Sequence, residues 1–269
     1  MRLLIATCDA HPSGHEDDAP LFEALSRCGI EPVIRIWDRA RWDGVGACLI
    51  RSTWDYTWRR EEFLDWAERV PVPLWNPPSL LRWNSHKRYL AELAARGVPV
   101  VPTEIASGAA ARLETAHEIV VKPCVSAGAR DTYRLKPGAP RPALDPTREW
   151  MIQPYLPSVE AEGEHSLIFF DGEFSHAIRK HPQLVEPRPA EGGEPRITPE
   201  RDELEAARGV LAAVEPLLYA RVDLARGPDG APLLMELEAF EPSLFFRAAP
   251  EAADRLAGAI AKRLTSSSA

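Results

Sequence analysis

The sequence predicts a mixed α/β protein, α+β in its second half, in which a parallel layer is followed by antiparallel hairpins. Three observations predict this class. Apolar strands and amphipathic helices alternate over the first 76 residues, four prolines interrupt the chain at 71–78, and Asp229-Gly230 joins two strand-like runs. With 269 residues and a 45% hydrophobic content, the chain can bury the core of one large domain or two small ones.

The charge balance and the cysteines limit the partners and the compartment. Lysine and arginine number 32 against 40 aspartates and glutamates, which gives a net charge of −8 and argues against a nucleic acid or an anionic membrane as the main partner. A small solute is therefore expected. The first apolar run is too short for a signal peptide and no stretch is long enough to span a bilayer, so we expect a cytoplasmic protein. The four cysteines form no CxxC motif and are expected to be reduced and buried.

The first 76 residues show the pattern of a small βαβαβ layer. Strand-like runs at 2–7, 32–37 and 47–51 alternate with helical patterns at 19–28 and 60–70. This order predicts a parallel sheet, and the absence of GxGxxG argues against a dinucleotide site. Because prolines then break regular structure, we place the first domain boundary after residue 76.

The elements after the boundary alternate less regularly. Asn84 is expected to cap a helix at 85–96, and a second and a third helix are expected at 200–214 and 251–264. Residues 183–198 read as a long mobile loop and residues 265–269 as a disordered tail. The predicted strands are 98–103, 118–123, 150–157, 165–172 and 173–180.

The most informative segment is the hairpin around Asp229-Gly230. If those two residues form the turn, counting outward sets Asp223 opposite Glu236 and Arg221 opposite Glu238, with Cβ atoms about 4.5–5.5 Å apart. All four side chains then share one face of the hairpin, because residues two apart in a strand point the same way. The opposite face is expected to carry apolar side chains: Val222, Leu224, Met235 and Leu237.

Three carboxylates on one face need a counter-charge. Opposed like charges destabilise a sheet by up to about 1 kcal/mol, and oxygen ligands suit Mg²⁺. A solvent-facing strand pair with merely solvated acids is the alternative. The prolines at 228 and 232 are also able to lengthen the turn and spoil the register.

Two lysines are candidates for a phosphate site. Lys122 ends an apolar strand and precedes a loop of small residues that includes Ser126 and Gly128, a pattern that suits a clamp on phosphates and a lid. Lys87 is predicted in the first turn of a helix, where a cation opposes the helix dipole. A surface lysine is the alternative for Lys87. The P-loop motif GxxxxGK[ST] is absent.

In this order, the segments NSHKRYLAELAARGVPVVPT, IVVKP, MIQPYL, RVDLA and MELEA resemble the ATP-grasp superfamily over nearly the whole chain. RSTWDY at 51–56 followed by WN at 83–84 resembles the group related to O-ureido-D-serine cyclo-ligase, with glutathione synthetase and D-alanine:D-alanine ligase as more distant relatives. The resemblance implies an ATP-grasp fold preceded by a Rossmann-like pre-ATP-grasp substrate domain. It implies three parts: 1–76, the ATP-grasp N-terminal subdomain 77–154, and the C-terminal subdomain 155–269 with the metal hairpin.

The resemblance also implies a role for individual residues. Lys87, Lys122 and the loop with Ser126 and Gly128 would contact the phosphates of ATP, and Arg221 would steady the transferring phosphoryl group. Glu238 stands where many relatives have Asn and so adds a negative charge to the site. The adenine hinge would be Gln153, Pro154, Tyr155 and Leu156, the ribose ligand Glu164, and the Mg²⁺ ligands Asp223, Glu236 and Glu238.

Substrate contacts are expected on two other segments. Counting outward from a turn at Asp171-Gly172 sets Arg179 opposite Glu164. One interpretation of this opposition is a structural ion pair. The other is that Arg179 or Lys180 contacts a substrate carboxylate. Ligands gather at the carboxyl ends of strands in open α/β sheets, which favours Arg51 and Asp55 as substrate residues. Trp54 and Trp58 are expected to pack a domain interface. Ser243 is a further substrate candidate. The candidates for catalysis are Arg179, Lys122 and Arg221. His11 and His15 are not expected to bind zinc.

The resulting functional hypothesis is an ADP-forming ligase that activates the carboxylate of an amino-acid-like molecule as an acyl phosphate. Its cofactors would be ATP and Mg²⁺, two ions by analogy with phosphoryl-transfer sites, with Mn²⁺ as a substitute. An amine or similar nucleophile would attack the acyl phosphate, and both groups in one molecule would give a ring. A small-molecule kinase and a nucleotide-binding protein without turnover are the alternatives. The sequence leaves the oligomeric state open, and a homodimer is common among the relatives.

Overall fold

The computed structural model describes residues 1–181 and 194–266. The predicted loop at 183–198 and the predicted tail at 265–269 therefore lie partly outside the described residues. Where they are described, both contain regular structure: Arg196–Ile197 is a strand, and the last helix continues to Ser266.

The N-terminal layer is the predicted parallel sheet. Its strands are β1 (Arg2–Thr7), β2 (Glu31–Ile36), β3 (Ala47–Ile50) and β4 (Leu74–Trp75), in the order β2-β1-β3-β4, and its helices are α1 (Ala19–Arg27) and α2 (Arg60–Arg69). Gly29 follows α1 with φ of +72°, a conformation that favours glycine and ends the helix. The strand β4 was not predicted, because it lies inside the proline-rich segment taken as a boundary.

The second sheet is antiparallel and is built from the middle of the chain. Its strands are β5 (Glu104–Ser107), β6 (Ile119–Pro123), β7 (Tyr133–Leu135) and β8 (Glu149–Pro154), in the order β5-β8-β6-β7. The prediction of a strand at 98–103 was wrong: Val100 makes one isolated bridge to Leu234, and the strand begins at Glu104.

The predicted helix at 85–96 is split in two. Helix α3 (Pro78–Asn84) ends where the prediction placed the beginning, and α4 (Tyr89–Ala95) starts after a break. Asn84 is therefore not an N-cap. Its buried side-chain amide donates to the Leu237 carbonyl at 2.8 Å, and its side-chain oxygen accepts from the Ala239 N–H at 3.0 Å. The break leaves Lys87 between the helices instead of inside a first turn.

The third sheet carries the predicted hairpin. Its strands are β9 (Glu164–Phe170), β10 (Glu173–Lys180), β11 (Arg196–Ile197), β12 (Tyr219–Arg226) and β13 (Pro232–Glu238), in the order β11-β10-β9-β12-β13. A short helix α5 (Ser158–Ala161) precedes β9, and α6 (Arg201–Ala212) precedes β12. The final helix α7 (Ala252–Ser266) follows.

The hydrophobic cores cross the predicted boundary at residue 76. Leu256 and Ile260 of α7 are buried in one cluster with Leu3 and Ile5 of β1 and with Leu21 of α1. The C-terminal helix packs against α1 of the N-terminal layer and against β9 and β10, so the end of the chain lies against its beginning. This packing fixes the carboxyl edge of the N-terminal sheet next to the third sheet.

Two smaller predictions concern the cysteines and the membrane. Cys8, Cys48 and Cys124 are free and buried as predicted, whereas Cys28 is exposed, since it follows the last turn of α1. No helix within 1–181 and 194–266 is long and apolar enough to cross a membrane.

Candidate active site

The hairpin β12-β13 has the predicted register at its polar end, but not for the predicted reason. Arg221 lies opposite Glu238 and Asp223 lies opposite Glu236. The turn contains three residues, because Gly227 pairs with Ala231 and Gly230 has a φ of +82°. A bulge between Asp223 and Leu224 then compensates for the extra turn residue.

The same bulge changes the apolar face of the hairpin. Val222, Leu224 and Leu237 are buried as predicted, but Leu234 takes the place expected for Met235 in this core. Met235 instead packs in a separate cluster with Leu156. Because of the bulge, Met235 packs against the segment after β8 and not in the core that contains Val222 and Leu237.

The hairpin β9-β10 does not have the predicted register. A bulge between Phe174 and His176 shifts the pairing, so that Lys180 lies opposite Glu164 and Arg179 lies opposite His165. Arg179 is exposed, whereas Lys180 forms ion pairs with Glu164 and, at 2.8 Å, with Asp223. The predicted opposition of Arg179 to Glu164 is corrected, because one extra residue exchanges the faces of a strand.

Asp223 is the centre of the polar face. Its carboxylate is fully buried and accepts two hydrogen bonds from Arg221 at 2.9 Å each, one from Lys180 at 2.8 Å, and one from the Ser166 hydroxyl at 2.6 Å. Burial alone would raise the pKa of Asp223, but Arg221 and Lys180 outweigh it and hold this pKa well below its ordinary range. Asp223 is thus ionised at any physiological pH.

Glu236 is held by the two predicted phosphate lysines. Lys87 lies 2.9 Å from one carboxylate oxygen and Lys122 lies 3.6 Å from the other. The Lys87 ammonium also donates to the Ser126 carbonyl at 3.0 Å and is buried, so the alternative of a surface lysine is excluded. Burial opposes ionisation of Glu236, yet these lysines lower its pKa to about 2.

Glu238 differs from Asp223 and Glu236 because, among the described residues, its only cationic partner, Arg221, is shared with Asp223. It forms an ion pair with Arg221, which Asp223 already occupies. Burial raises the pKa of Glu238 to about 8, and Asp223 and Glu236 add to the shift while Arg221 opposes it. Near neutral pH a large fraction of Glu238 is therefore protonated.

These residues form one group, which we call the transfer cluster. It brings together strands of the second and third sheets and the break between α3 and α4. Its cations are as numerous as its carboxylates, so the cluster is neutral when all of them are ionised. Its members are Lys87, Lys122, Glu164, Lys180, Arg221, Asp223, Glu236 and Glu238. Burial raises the pKa of Glu164 in this cluster, and Lys180 opposes the shift.

The predicted hinge is the end of β8 and the residues that follow. The Gln153 side chain donates to the Thr103 hydroxyl at 2.9 Å and the Tyr155 N–H donates to the Glu118 carbonyl at 2.9 Å. Pro154 is the last residue of β8, and Leu156 is buried against the cluster that contains Met235. The hinge therefore has an apolar wall next to a backbone that is fixed by hydrogen bonds.

The small-residue loop after β6 lies over the transfer cluster on one side. Ser126 accepts from Lys87 through its carbonyl, and Gly128 is exposed with a φ of +66°. At its far end, Arg130 lies 4.0 Å above the ring of Trp58, whose residue is 63% exposed. The expected interface role of Trp58 is thus a contact between the N-terminal layer and this loop.

The predicted substrate residues divide between two places. Arg51 is buried, binds Asp18 through Nε and Nη2, and donates to the Pro242 carbonyl at 2.9 Å. Its Nη1 is buried without a hydrogen-bond partner. Asp55 points away from this place, because it accepts from the Trp37 indole at 2.9 Å and lies 3.6 Å from Arg59.

The segment after β13 connects the two halves of the site. The Ser243 carbonyl accepts from Arg221 at 3.2 Å, and the Glu241 carbonyl accepts from the Trp54 indole at 3.0 Å. Trp54 therefore packs an interface, as expected, together with His11 and His15 at ring distances of 5.0 Å.

Sequence reasoning missed three residues of this region. Ser166 and Thr103 lie on segments whose periodicity carried no polar signal, and Glu241 stands two residues before the candidate Ser243. Tyr56 lies in the segment that the sequence placed on the substrate side. Glu241 is buried, and the Tyr56 hydroxyl donates a hydrogen bond to its carboxylate. A glutamate three residues after Glu238 in an apolar context was the available signal.

The donor set suits Mg²⁺ by its chemistry. In the described part of the chain, no three carboxylate, histidine or cysteine side chains are arranged to hold an ion, since each acid of the transfer cluster is paired with lysine or arginine. The oxygens of Asp223, Glu236 and Glu238 nevertheless lie on one face of one hairpin. Phosphates that bind Lys87 and Lys122 would free the Glu236 carboxylate from its ion pairs. The carboxylate oxygens of the hairpin are hard ligands, which Mg²⁺ prefers.

Comparison with known proteins agrees with this geometry. Residues 3–76 match the family described as D-cycloserine synthetase DcsG, N-terminal domain. The chain is 37% identical over 281 residues to the cycloserine biosynthesis protein DcsG of Streptomyces lavendulae, covering 92% of this chain and 94% of that protein.

Solved structures give the same result. The crystal structure of D-cycloserine synthetase DcsG is similar with a TM-score of 0.86 at 33% identity, covering 98% of this chain and 100% of that chain. The D-alanine–D-alanine ligase of Bacillus anthracis complexed with ATP has a TM-score of 0.67 at 16% identity, with both chains fully covered, a likeness of fold alone.

Proposed function

The chain belongs to the family of ATP-grasp ligases that includes the D-cycloserine synthetase DcsG, and from this membership we propose its function. The chain is an ATP-dependent, ADP-forming ligase that acts on small amino-acid-like molecules and uses Mg²⁺. We further propose a role for each residue of the site in this reaction and infer that the product is cyclic.

The observation that carries the proposal is the pairing of Glu236 with Lys87 and Lys122. Two lysines, the buried Lys87 and the half-buried Lys122, share one carboxylate at 2.9 and 3.6 Å. Both lysines are then available for the phosphates of ATP, and the carboxylate is available for a metal ion. The protein groups therefore exchange one ion-pair partner for another on binding and are not left unpaired.

The remaining phosphoryl-transfer roles follow from charge. Arg221 is fixed by two hydrogen bonds to Asp223, so its charge is oriented before the substrate arrives. We assign to it the stabilisation of the transferring phosphoryl group. Mg²⁺, held by Asp223, Glu236 and Glu238, supplies neutralisation of phosphate charge when bound.

The nucleotide contacts are proposed on the hinge and on Glu164. Gln153, Pro154, Tyr155 and Leu156 border the apolar cluster with Met235, which offers a surface for adenine. Lys180 forms an ion pair with Glu164 and favours its ionised form, in which the carboxylate accepts hydrogen bonds from ribose hydroxyls. Ser126 and Gly128 provide the loop over the phosphates.

The substrate side is proposed at the carboxyl edge of the N-terminal sheet. Both candidates, Arg51 and Ser243, lie at the segment that follows β13. Arg51 donates to the Pro242 carbonyl of this segment and keeps Nη1 without a partner. The carbonyl of Ser243, the next residue, accepts a hydrogen bond from Arg221. Lys180, a member of the transfer cluster, takes the place predicted for Arg179 as the cation facing the substrate. Asp55 faces Trp37 and Arg59 and has no place in this assignment.

The proposed reaction makes an acyl phosphate and closes a ring. The substrate carboxylate attacks the γ-phosphorus and ADP leaves, then a nitrogen of the same molecule attacks the acyl carbon and phosphate leaves. The similarity to D-cycloserine synthetase supports a cyclic product, and the resemblance of RSTWDY to the O-ureido-D-serine cyclo-ligase group makes that acid the first to assay.

The three-part division, a homodimer, and a cytoplasmic location complete the proposal. Each of the three sheets belongs to one of the segments 1–76, 77–154 and 155–269, which supports the division. Incubation of the enzyme with ATP, Mg²⁺ and O-ureido-D-serine, followed by mass detection of the products, tests the function. A cyclic product with ADP and free phosphate is expected; a stable phosphorylated acid would favour the kinase alternative.

A further inference from the structure

Arg134 of β7 bridges the two sides of the hinge. Its guanidinium donates to both carboxylate oxygens of Glu118, through Nε at 2.7 Å and Nη2 at 3.1 Å, and its Nη1 pairs with Glu160 of α5. Its Cζ lies 3.7 Å from the centroid of the Tyr155 ring, so the cation covers the face of this ring. One guanidinium therefore joins the residue before β6, the hinge and the helix that follows the hinge.

Tyr155 is held in two ways. Its backbone N–H donates to the Glu118 carbonyl at 2.9 Å, and its ring lies under the guanidinium that binds the Glu118 carboxylate. The side chains of Arg134 and Glu118 are only 20% and 24% exposed, so this pair differs from an ordinary solvated ion pair at a surface. The contact uses the flat, forked shape of the guanidinium, since two nitrogens bind one carboxylate while the plane covers a ring.

The next residue, Leu156, has a backbone donor that a base would meet. Leu156 is 5% exposed, and within residues 1–181 and 194–266 its N–H donates no hydrogen bond to a protein group. Adenine has an acceptor nitrogen at position 1 of its pairing edge, whereas guanine carries an N–H donor there. A fixed Leu156 N–H therefore discriminates between the two bases, because it pairs with adenine and is left unpaired against guanine.

We propose that Arg134 is a positioning residue that fixes the hinge at Tyr155 and thereby sets the preference for adenine over guanine. This inference rests on the proposed function, in which the hinge binds the adenine of ATP. It adds a residue that lies outside the transfer cluster and acts through Tyr155 and Glu118. Its effect is therefore expected on the recognition of the base and not on the binding of the phosphates.

The test measures binding and does not depend on the identity of the acid. Isothermal titration with Mg²⁺ present gives the Kd of ATP, of GTP and of inorganic tripolyphosphate, a probe that carries phosphates without a base. The wild-type protein is compared with Arg134→Met and with Arg134→Lys, which keeps the charge and loses the flat guanidinium. Arg141→Met is the matched control, because Arg141 pairs with Glu114 and its side chain is 51% exposed.

We expect Arg134→Met to raise the Kd of ATP about tenfold and to change the Kd of tripolyphosphate about twofold or less. The ratio of the Kd of GTP to the Kd of ATP should fall about fivefold. Arg134→Lys should resemble Arg134→Met, since lysine cannot bind Glu118 through two nitrogens. In turnover assays the KM for ATP should rise while kcat changes about twofold or less, and Arg141→Met should match the wild-type protein.

An unchanged ratio of the two Kd values in Arg134→Met would overturn the proposal. Equal weakening of ATP and tripolyphosphate binding would also overturn it, since Arg134 would then support the whole site. Wild-type discrimination in Arg134→Lys would show that charge alone matters and would contradict the role of the guanidinium plane. Failure of the proposed function gives a different result: the wild-type protein itself would then bind ATP no more tightly than GTP or tripolyphosphate.

Discussion

Lys87 and Glu236 form a buried ion pair at 2.9 Å that joins the break between α3 and α4 to the end of β13. Lys87 is 5% exposed and depends on this carboxylate for its counter-charge, whereas Glu236 is half-buried and also contacts Lys122. The pair therefore holds the lysine and the carboxylate at the positions where we propose that they meet phosphates and metal.

Lys87→Met should destabilise the protein and weaken nucleotide binding. The variant keeps most of the side-chain length but leaves Glu236 with Lys122 alone at 3.6 Å, so we expect a loss of about 2 kcal/mol in the free energy of unfolding. Arg88→Met, next to it in sequence and on the surface, is the control. Urea denaturation and an ATP titration measure both effects, and equal behaviour of the two variants would contradict the role of Lys87.

Lys180→Met and Arg179→Met test the corrected register of β10. Lys180 lies next to Glu164 and Asp223, whereas Arg179 points to the other face and is exposed. We expect the first variant to lose about 100-fold or more in kcat/KM and the second to change by about threefold or less. Steady-state release of ADP is the measurement. The opposite order would restore the register that the sequence predicted.

Glu238→Gln should change the pH dependence of stability. The folded protein holds a proton on Glu238 up to about pH 8, while the unfolded chain releases it near the ordinary pKa of 4.5. The folded state therefore loses stability as the pH rises from 4.5 to 8, and the glutamine removes this loss. Relative to the wild-type protein, the variant should gain about 3 kcal/mol between pH 5 and pH 8.

Urea denaturation at several pH values provides this measurement. A difference between Glu238→Gln and the wild-type protein that stays constant over the range would show that Glu238 titrates like an exposed glutamate. Glu173→Gln serves as the exposed control, for which no pH-dependent difference is expected.

Asn84→Ala should weaken both the fold and the metal hairpin. Its buried side chain makes hydrogen bonds to Leu237 and Ala239 on both sides of Glu238. Removal leaves a buried carbonyl and a buried N–H without partners, which costs about 1–3 kcal/mol each at most. We expect a lower urea midpoint and a higher Mg²⁺ concentration for half-maximal activity. A lower midpoint with unchanged Mg²⁺ dependence would limit Asn84 to a structural role.

The hairpin and the N-terminal layer illustrate how far the sequence leads. Alternating side chains predicted that Asp223 opposes Glu236, and the prediction is confirmed although the turn has one residue more than expected. The second bulge that restores the register has no local signal, because it depends on packing of Leu234 and Met235 in different cores. In β10 nothing compensates for the bulge, so Arg179 was chosen where Lys180 belongs.

Other parts of the site depend on contacts between distant segments. The role of Asn84 and the split of the predicted helix follow from hydrogen bonds to β13, which local helix signals cannot contain. Glu241 lies in an irregular segment with no periodicity, and its burial results from the packing of the N-terminal layer against the third sheet.

The central claim is that the transfer cluster couples ATP cleavage to ring formation. The most direct measurement is the ratio of ADP, free phosphate and cyclic product formed from O-ureido-D-serine by the wild-type enzyme, with Glu236→Gln as the comparison. The account predicts equal amounts of the three products from the wild type and a loss of all three in the variant. ADP with a stable phosphorylated acid and no free phosphate, or full turnover by Glu236→Gln, would contradict it.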